Sequence, residues 1–281
     1  LSEGPSRTAH WTPTAPGDRT TVARVPVAIT RQVSPAIGDC ELTHLERTPI
    51  DVDVARAQHA AYEAALAALG CRVERLPAEP DLPDSVFVED AAVVLDDVAI
   101  LTRPGAESRR GERPTIERAL APYRDVVAIE APGIVDGGDV LVSGSDVWIG
   151  LSSRSNRTAI DQFRGVLIGH GYRVHAATVN GCLHLKSAVT AASDDLLIVN
   201  PDWVDVTQFV DHRCLAVDPS EPGAANVVRV GDTVLAASAF PRTAERLTHS
   251  GLDVHLVDAS ELAKAEGALT CCSLIFEELT R

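Results

Sequence analysis

A helix followed by a strand recurs five times along this chain, and that recurrence limits the fold more than any single motif. Residues 51–69 have the apolar spacing of an amphipathic helix, closed by Gly70, and run into a strand at 71–76. The same order returns at 114–123 before 126–130, at 156–170 before 172–175, and at 242–250 before 253–257. A shorter segment, 203–210, stands before a strand at 213–217. The units recur at roughly 40–55 residues, the range of repeat architectures. Each is followed by a polar cluster that leads into another apolar stretch: Asp84 to Asp90, Asp136-Gly137-Gly138-Asp139, His184-Leu185-Lys186, Ala225-Asn226, and Thr270-Cys271-Cys272. Five units, each bringing one polar cluster to an equivalent place, predict an α/β chain closed into a ring around a central site. A doubly wound parallel sheet would instead need a Gly-rich strand-to-helix turn for a cofactor. Gly137-Gly138 is flanked by acids and opens a strand, so it is no phosphate cradle.

Charge narrows the partners. The formal net charge is -15, which argues against nucleic acid and does little to attract an anionic membrane. It suits a soluble protein and is compatible with a cationic small substrate. No apolar run approaches the length of a membrane span, and residues 1–20 lack the apolar core of a signal peptide. Those residues are expected to form a flexible tail, with 21–281 a single catalytic domain. Residues 34–48 are polar and irregular, as in a loop or lid, and Pro26 marks its strand as an edge or a strand start. The six cysteines are scattered, with no CxxC and no framework spacing. Reduced thiols in a cytoplasmic compartment follow from that pattern.

The stretch 268–276 alternates like a strand and carries two adjacent cysteines. A buried thiol commonly serves as a small hydrophobe. Cys272 shares the parity of Leu274 and Phe276 and is expected to pack, which turns Cys271 toward the site as a candidate nucleophile. Such a thiol needs a base or a cation beside it. His184 is the candidate partner, because it follows a repeat strand at the place Cys271 occupies in its own unit. Asp136 or Asp139 could orient that imidazole, although Asp-Gly is also a common turn pair. Asp84, Glu89 and Asp90 border an apolar, strand-like segment, so their carboxylates need cationic partners. An internal arginine or a bound guanidinium would supply one. Arg109 and Arg154 could fork onto a carboxylate, while Arg110 reads as a surface ion pair. Acids, arginines, a cysteine and a histidine together suit a zwitterionic, cationic amino acid.

The segments Leu82 to Asp90, Leu101 to Arg110, Asp136 to Asp139, His184 to Ser187 and Leu269 to Ser273 resemble the dimethylarginine dimethylaminohydrolase family in identity, order and spacing. The resemblance covers roughly residues 24–278. It implies a five-bladed α/β propeller of ββαβ units around a central active site, within the guanidino-group modifying (pentein) superfamily. It implies Cys271 as nucleophile, His184 as general acid and base, and Asp136 as the acid orienting it. Glu89 and Asp90 would hold the guanidinium, and Arg109 and Arg154 the substrate carboxylate. Asp84 and the Ala265 carbonyl would take the α-amino end. Family members carry a larger aliphatic residue at the position of Ala265. Leu42 matches the lid residue that contacts substrate.

The reaction so implied is hydrolysis of Nω-methylated L-arginine to L-citrulline and dimethylamine or methylamine through a covalent thiouronium, with no metal or organic cofactor. Arginine deiminases and amidinotransferases of the superfamily carry His-x-Asp where this chain has His184-Leu185-Lys186. Losing that carboxylate is expected to leave space for a methylated nitrogen. An arginine deiminase-like or other guanidino-group hydrolase or amidinotransferase, and an inactive binder of cationic amino acids, are the rival functions. Cys271 and His184 alone would make a weak Zn²⁺ site. Oligomeric state stays open, a homodimer being one compatible arrangement.

Overall fold

The computed structural model describes residues 25–278; the expected N-terminal tail lies outside the described residues. The elements in order are β1 (Pro26–Arg31), α1 (Val52–Ala68), β2 (Arg72–Leu76), β3 (Ala92–Val94), β4 (Val98–Leu101), α2 (Arg113–Leu120) and β5 (Asp125–Ala128). They continue with β6 (Val140–Ser143), β7 (Asp146–Leu151), α3 (Arg157–Leu167), β8 (Arg173–Thr178), α4 (Leu185–Ala188), β9 (Val189–Ala191), β10 (Leu196–Val199) and β11 (Arg213–Ala216). The chain closes with β12 (Val228–Val230), β13 (Thr233–Ala237), α5 (Pro241–His249), β14 (Asp253–Val257), α6 (Ser260–Ala263) and β15 (Leu274–Glu277).

The local signals explain the helices. Asp51 caps α1 by accepting from the amides of Asp53 and Val54 at 3.1 Å each. Gly70, at φ +93°, turns the chain out of that helix. Asn156 caps α3 through the Ala159 amide at 3.0 Å. One face of α3 buries Ala159, Ile160, Phe163 and Leu167, the 3.6-residue stripe that gave the helix away.

Each of the five sheets has three strands in the same order: an inner strand antiparallel to a middle strand, which is parallel to an outer one. The middle strands β4 and β10 are buried throughout, as strands covered on both faces must be. A helix makes the crossover to the outer strand in four blades. In the fourth, only a short 3-10 turn at Val206–Gln208 stands there. The inner strands β3, β6, β9, β12 and β15 surround an axial cavity of about 260 Å³. The architecture is therefore the expected five-bladed α/β propeller. The clasp of the ring is β15 against β1, with Val27 opposite Phe276 and Ile29 opposite Leu274. Pro26 begins β1, but β1 is the middle strand of its sheet and no edge.

Three segments with strand-like alternation are turns. Residues 270–272 form a 3-10 turn and the strand begins only at Leu274. Val88–Ala91 is likewise a 3-10 turn. His184 stands at the N-cap of the four-residue helix α4. All three lie at the ring centre, buried on every side. Periodicity needs one wet face to be legible, and these segments have none. The parity argument for the cysteines therefore lapses: both are buried, Cys271 at 8% exposure and Cys272 at 1%.

Among the described residues no helix is long and apolar enough to cross a membrane. Phe163 is fully buried against its blade. Phe163→Ala should lower the unfolding free energy by about 3–5 kcal/mol in urea titration, whereas Ile168→Ala, one turn on at 83% exposure, should leave it nearly unchanged.

Candidate active site

Each inner strand is entered through a short turn, and the five turns meet on one side of the axis. They carry Glu89 and Asp90, Asp136 and Asp139, His184 and Lys186, Asn226, and Thr270 and Cys271. A cavity of about 20 Å³ opens beside them, walled by Asp84, Asp90, Arg109, Arg154, His184, Ala265 and Cys271 among others.

Asp136 is fully buried and its Oδ2 lies 3.0 Å from His184 Nε2. Its other oxygen accepts the Gly105 amide at 2.9 Å. Asp139, the other candidate for that role, is spent elsewhere. It accepts Ser152 and Ser155 hydroxyls at 2.5 Å and the Leu185 amide at 2.9 Å, fixing the start of α4. The His184 ring packs on the Gly138 backbone so tightly that a Cβ there would stand 2.5 Å from Nδ1. Gly138 is thus required by close approach of the imidazole, and Gly137 by the Glu89 carbonyl, which would stand 1.9 Å from a Cβ there.

Electrostatics set the protonation states. Burial alone would lower the His184 pKa, but Asp90, the Asp136 hydrogen bond and Asp139 together hold it at about 9. Burial would raise that of Asp90; His184, Arg109 and the Gly138 amide overcome it and hold the carboxyl at about 2. Burial first, and then the charges of Glu89 and Asp90, push the Cys271 thiol up to about 12. At neutral pH the pair is an imidazolium and a thiol.

The remaining residues divide. Arg109 lines the cavity, yet its guanidinium is engaged by the protein: Nη1 donates to Asp90 at 2.5 Å, Nε and Nη2 to Glu112 at 2.9 and 2.8 Å, and Nη2 to the Phe87 carbonyl. Buried Glu112 is raised to about 7 by burial. Arg154 donates to Thr43 Oγ1 at 2.8 Å and comes within 3.8 Å of Asp136. Asp84, raised by burial, accepts the Glu41 amide at 3.0 Å. Glu89 is not on the cavity wall. It accepts Lys186 Nζ at 2.5 Å and Thr270 Oγ1 at 2.7 Å and faces the axial cavity. Lys186 is thus turned onto Glu89 and lines the axial cavity, not this one. Leu42 packs on the core cluster under the lid and does not reach the cavity; Glu41 does.

Sequence reasoning missed Glu41, Phe87, Leu183, Glu266 and Gly267 on the wall. Gly267 is required by close approach, since a Cβ there would meet the Phe87 ring at 2.2 Å, a constraint visible only in the fold. Asn226 is a brace: its side chain bonds the Lys186 carbonyl, the Thr270 hydroxyl and the Thr270 amide at 2.9–3.1 Å, pinning the turn that carries Cys271. Asp90, Asp136 and His184 offer ligand atoms within 4.8 Å of one another. Both carboxylates already accept protein donors, which makes the set a poor cation site.

The chain is 42% identical over 253 residues to the N(G),N(G)-dimethylarginine dimethylaminohydrolase of Streptomyces coelicolor, covering 90% of this chain and 97% of the relative. It belongs to the dimethylarginine dimethylaminohydrolase family. The model of a family described as N,N dimethylarginine dimethylhydrolase, eukaryotic, matches residues 44–217. The Pseudomonas aeruginosa enzyme of the same name is 36% identical, over 80% of this chain and 90% of that one. Its cysteine-to-serine mutant, solved with citrulline, superposes with a TM-score of 0.85 at 34% identity, covering 89% of this chain and 98% of that one. The N-terminal domain of the cyanobacterial arginine dihydrolase ArgZ shares the fold, with a TM-score of 0.78 at 18% identity over 89% of this chain and 97% of that one.

Asp136→Asn should bring the His184 pKa down from about 9, read by NMR titration of the ring. In the parent protein the folded pKa lies above the unfolded value near 6.5, so the stability from protonated His184 is full below that pH and lost as pH rises through about 9. Urea melts across this range should show the decline, and Asp136→Asn should flatten it. Iodoacetamide should alkylate Cys271 at a rate still climbing past pH 9 when no substrate is present; a plateau below pH 8 would contradict the buried, anion-flanked thiol.

Proposed function

We propose that this chain hydrolyses Nω-methylated L-arginine to L-citrulline, releasing dimethylamine or methylamine. One observation carries the reading. In a member of this family, a buried thiol, an imidazole held at 3.0 Å by a carboxylate, and the guanidinium-seeking acid Asp90 share one small cavity. The Pseudomonas aeruginosa relative solved with citrulline supports the product.

In this reading the guanidinium lies against Asp90, and Asp84 with the Ala265 carbonyl takes the α-ammonium. Arg154 takes the carboxylate, with Arg109 holding Asp90 in place from behind. The cation offsets the negative field of Glu89 and Asp90, so the Cys271 proton is lost to solvent when substrate arrives. The thiolate attacks the guanidinium carbon. His184, an imidazolium at the start, gives its proton to the departing amine. A thiouronium remains on Cys271. Neutral His184 then takes a proton from water, hydroxide adds to the same carbon, and the C–S bond breaks as the adduct's hydroxyl proton passes to solvent, returning thiolate and citrulline. The proton His184 gives to the amine is thus restored from the hydrolytic water.

Lys186 bears on substrate choice. Its ammonium occupies Glu89 at 2.5 Å, so one of the two acids expected to hold a guanidinium is paired inside the protein and turned from the cavity. A site with fewer unmet acceptors tolerates a methylated nitrogen that brings fewer N–H donors. Citrulline release should therefore be faster from asymmetric dimethylarginine or monomethylarginine than from arginine, and Lys186→Asp should shift that ratio toward arginine. Cys271→Ala should lower kcat by about 10³-fold or more, and acid quench of the parent enzyme should trap an adduct on Cys271 by mass spectrometry. Equal turnover of arginine would favour a deiminase instead.

A further inference from the structure

Glu266 has no part in the chemistry above, yet its placement is unusual in two independent ways. It is the one non-glycine residue with positive φ among the described residues, at +56°. The position is the exit of α6, where the Gly267 amide reaches back to the Leu262 carbonyl at 3.1 Å and the Glu266 amide to Ala263 at 3.1 Å. Helices that end in this way favour glycine at the left-handed residue, because a Cβ is disfavoured there. The chain carries a glutamate in its place.

The side chain accounts for that choice. One carboxylate collects three consecutive backbone donors from the segment expected to form a lid: Thr43 at 3.0 and 3.1 Å, His44 at 2.5 Å and Leu45 at 2.6 Å. Charge-assisted bonds of this kind are the strong ones. The same segment touches the catalytic cavity at two further points, through the Glu41 amide on Asp84 and the Thr43 hydroxyl under Arg154. Glu41 and Glu266 both belong to the cavity wall. Residues 41–45 thus roof the cavity, so a substrate passes when they lift and is retained when they close over it again.

We propose that Glu266 is a positioning residue: its carboxylate latches residues 43–45 over the cavity and so sets the affinity for substrate. The inference rests on the reading of this cavity as the methylarginine site. The latch acts through the lid on Asp84 and Arg154, the groups assigned to the two α-substituents. It therefore governs binding of the amino-acid end and leaves the reacting carbon alone. The strained backbone at residue 266 is retained because a glycine there, though better suited to the helix exit, would hold nothing.

Glu266→Gly separates the two roles, since it relieves the backbone while removing the carboxylate. The expected result is a melting temperature equal to or above the parent's, with hydrogen exchange at least about tenfold faster in the peptide covering residues 41–47. KM for the methylated arginine should rise about tenfold while kcat changes less than threefold. Glu266→Gln, which keeps an acceptor, should restore part of both effects. Unchanged exchange in Glu266→Gly overturns the latch. Faster exchange with unchanged KM overturns its role in affinity. A parent enzyme that forms no citrulline from methylated arginine overturns the catalytic reading, and the exchange measurement still decides whether residue 266 holds the lid.

Discussion

A carboxylate in the middle of a protein stays ionised only if the structure supplies it with donors, and Asp90 is where this chain solves that problem. Arg109 comes from the blade that Asp90 opens, the Gly138 amide from the next, and the His184 ring from the one after. Three of the five turns are thereby registered against a single side chain. Isolated burial of such an ion costs several kcal/mol. The cost is offset only when all three partners arrive, which makes the charge a check on correct assembly of the ring. Arg109 is in turn held by Glu112, so the support extends outward to the first residues of α2.

The same field tunes the chemistry. Acids gathered in these turns raise the thiol and the imidazole together, leaving a resting pair of thiol and imidazolium. In the proposed reaction the charge of a bound guanidinium offsets that field. Selectivity for cations and activation of the thiol would then come from one arrangement of acids.

Much of the fold was legible because its outer parts have one wet face. The stripe of Ala159, Ile160, Phe163 and Leu167 and the cap at Asn156 announce α3 from the sequence. The repeat of helix before strand announces the ring. The centre was less legible. Residues 85–88 and 268–276 read as strands, yet a turn closes the first at Val88–Ala91 and interrupts the second at Thr270–Cys272, since buried irregular backbone and buried strand share the same apolar composition. Residue types in the site were visible through their clusters, but their pairings were not. Nothing in the spacing distinguished Asp136 from Asp139 as the partner of His184, or placed Lys186 on Glu89; those follow from which turn faces which across the axis. Glu266 gave no signal at all, because its significance lies in a backbone angle.

The clasp between β1 and β15 has a temporal consequence. The strand that follows Cys271 is the last element of the described chain, and it pairs with the first. Contacts so distant in sequence form late, after the intervening blades have stacked. During synthesis the four complete blades emerge before the thiol does. The Cys271 thiol and the charges around it therefore meet only when the circle shuts, and a chain interrupted partway carries acids and imidazole without it. Closure of the ring and assembly of the site become one event.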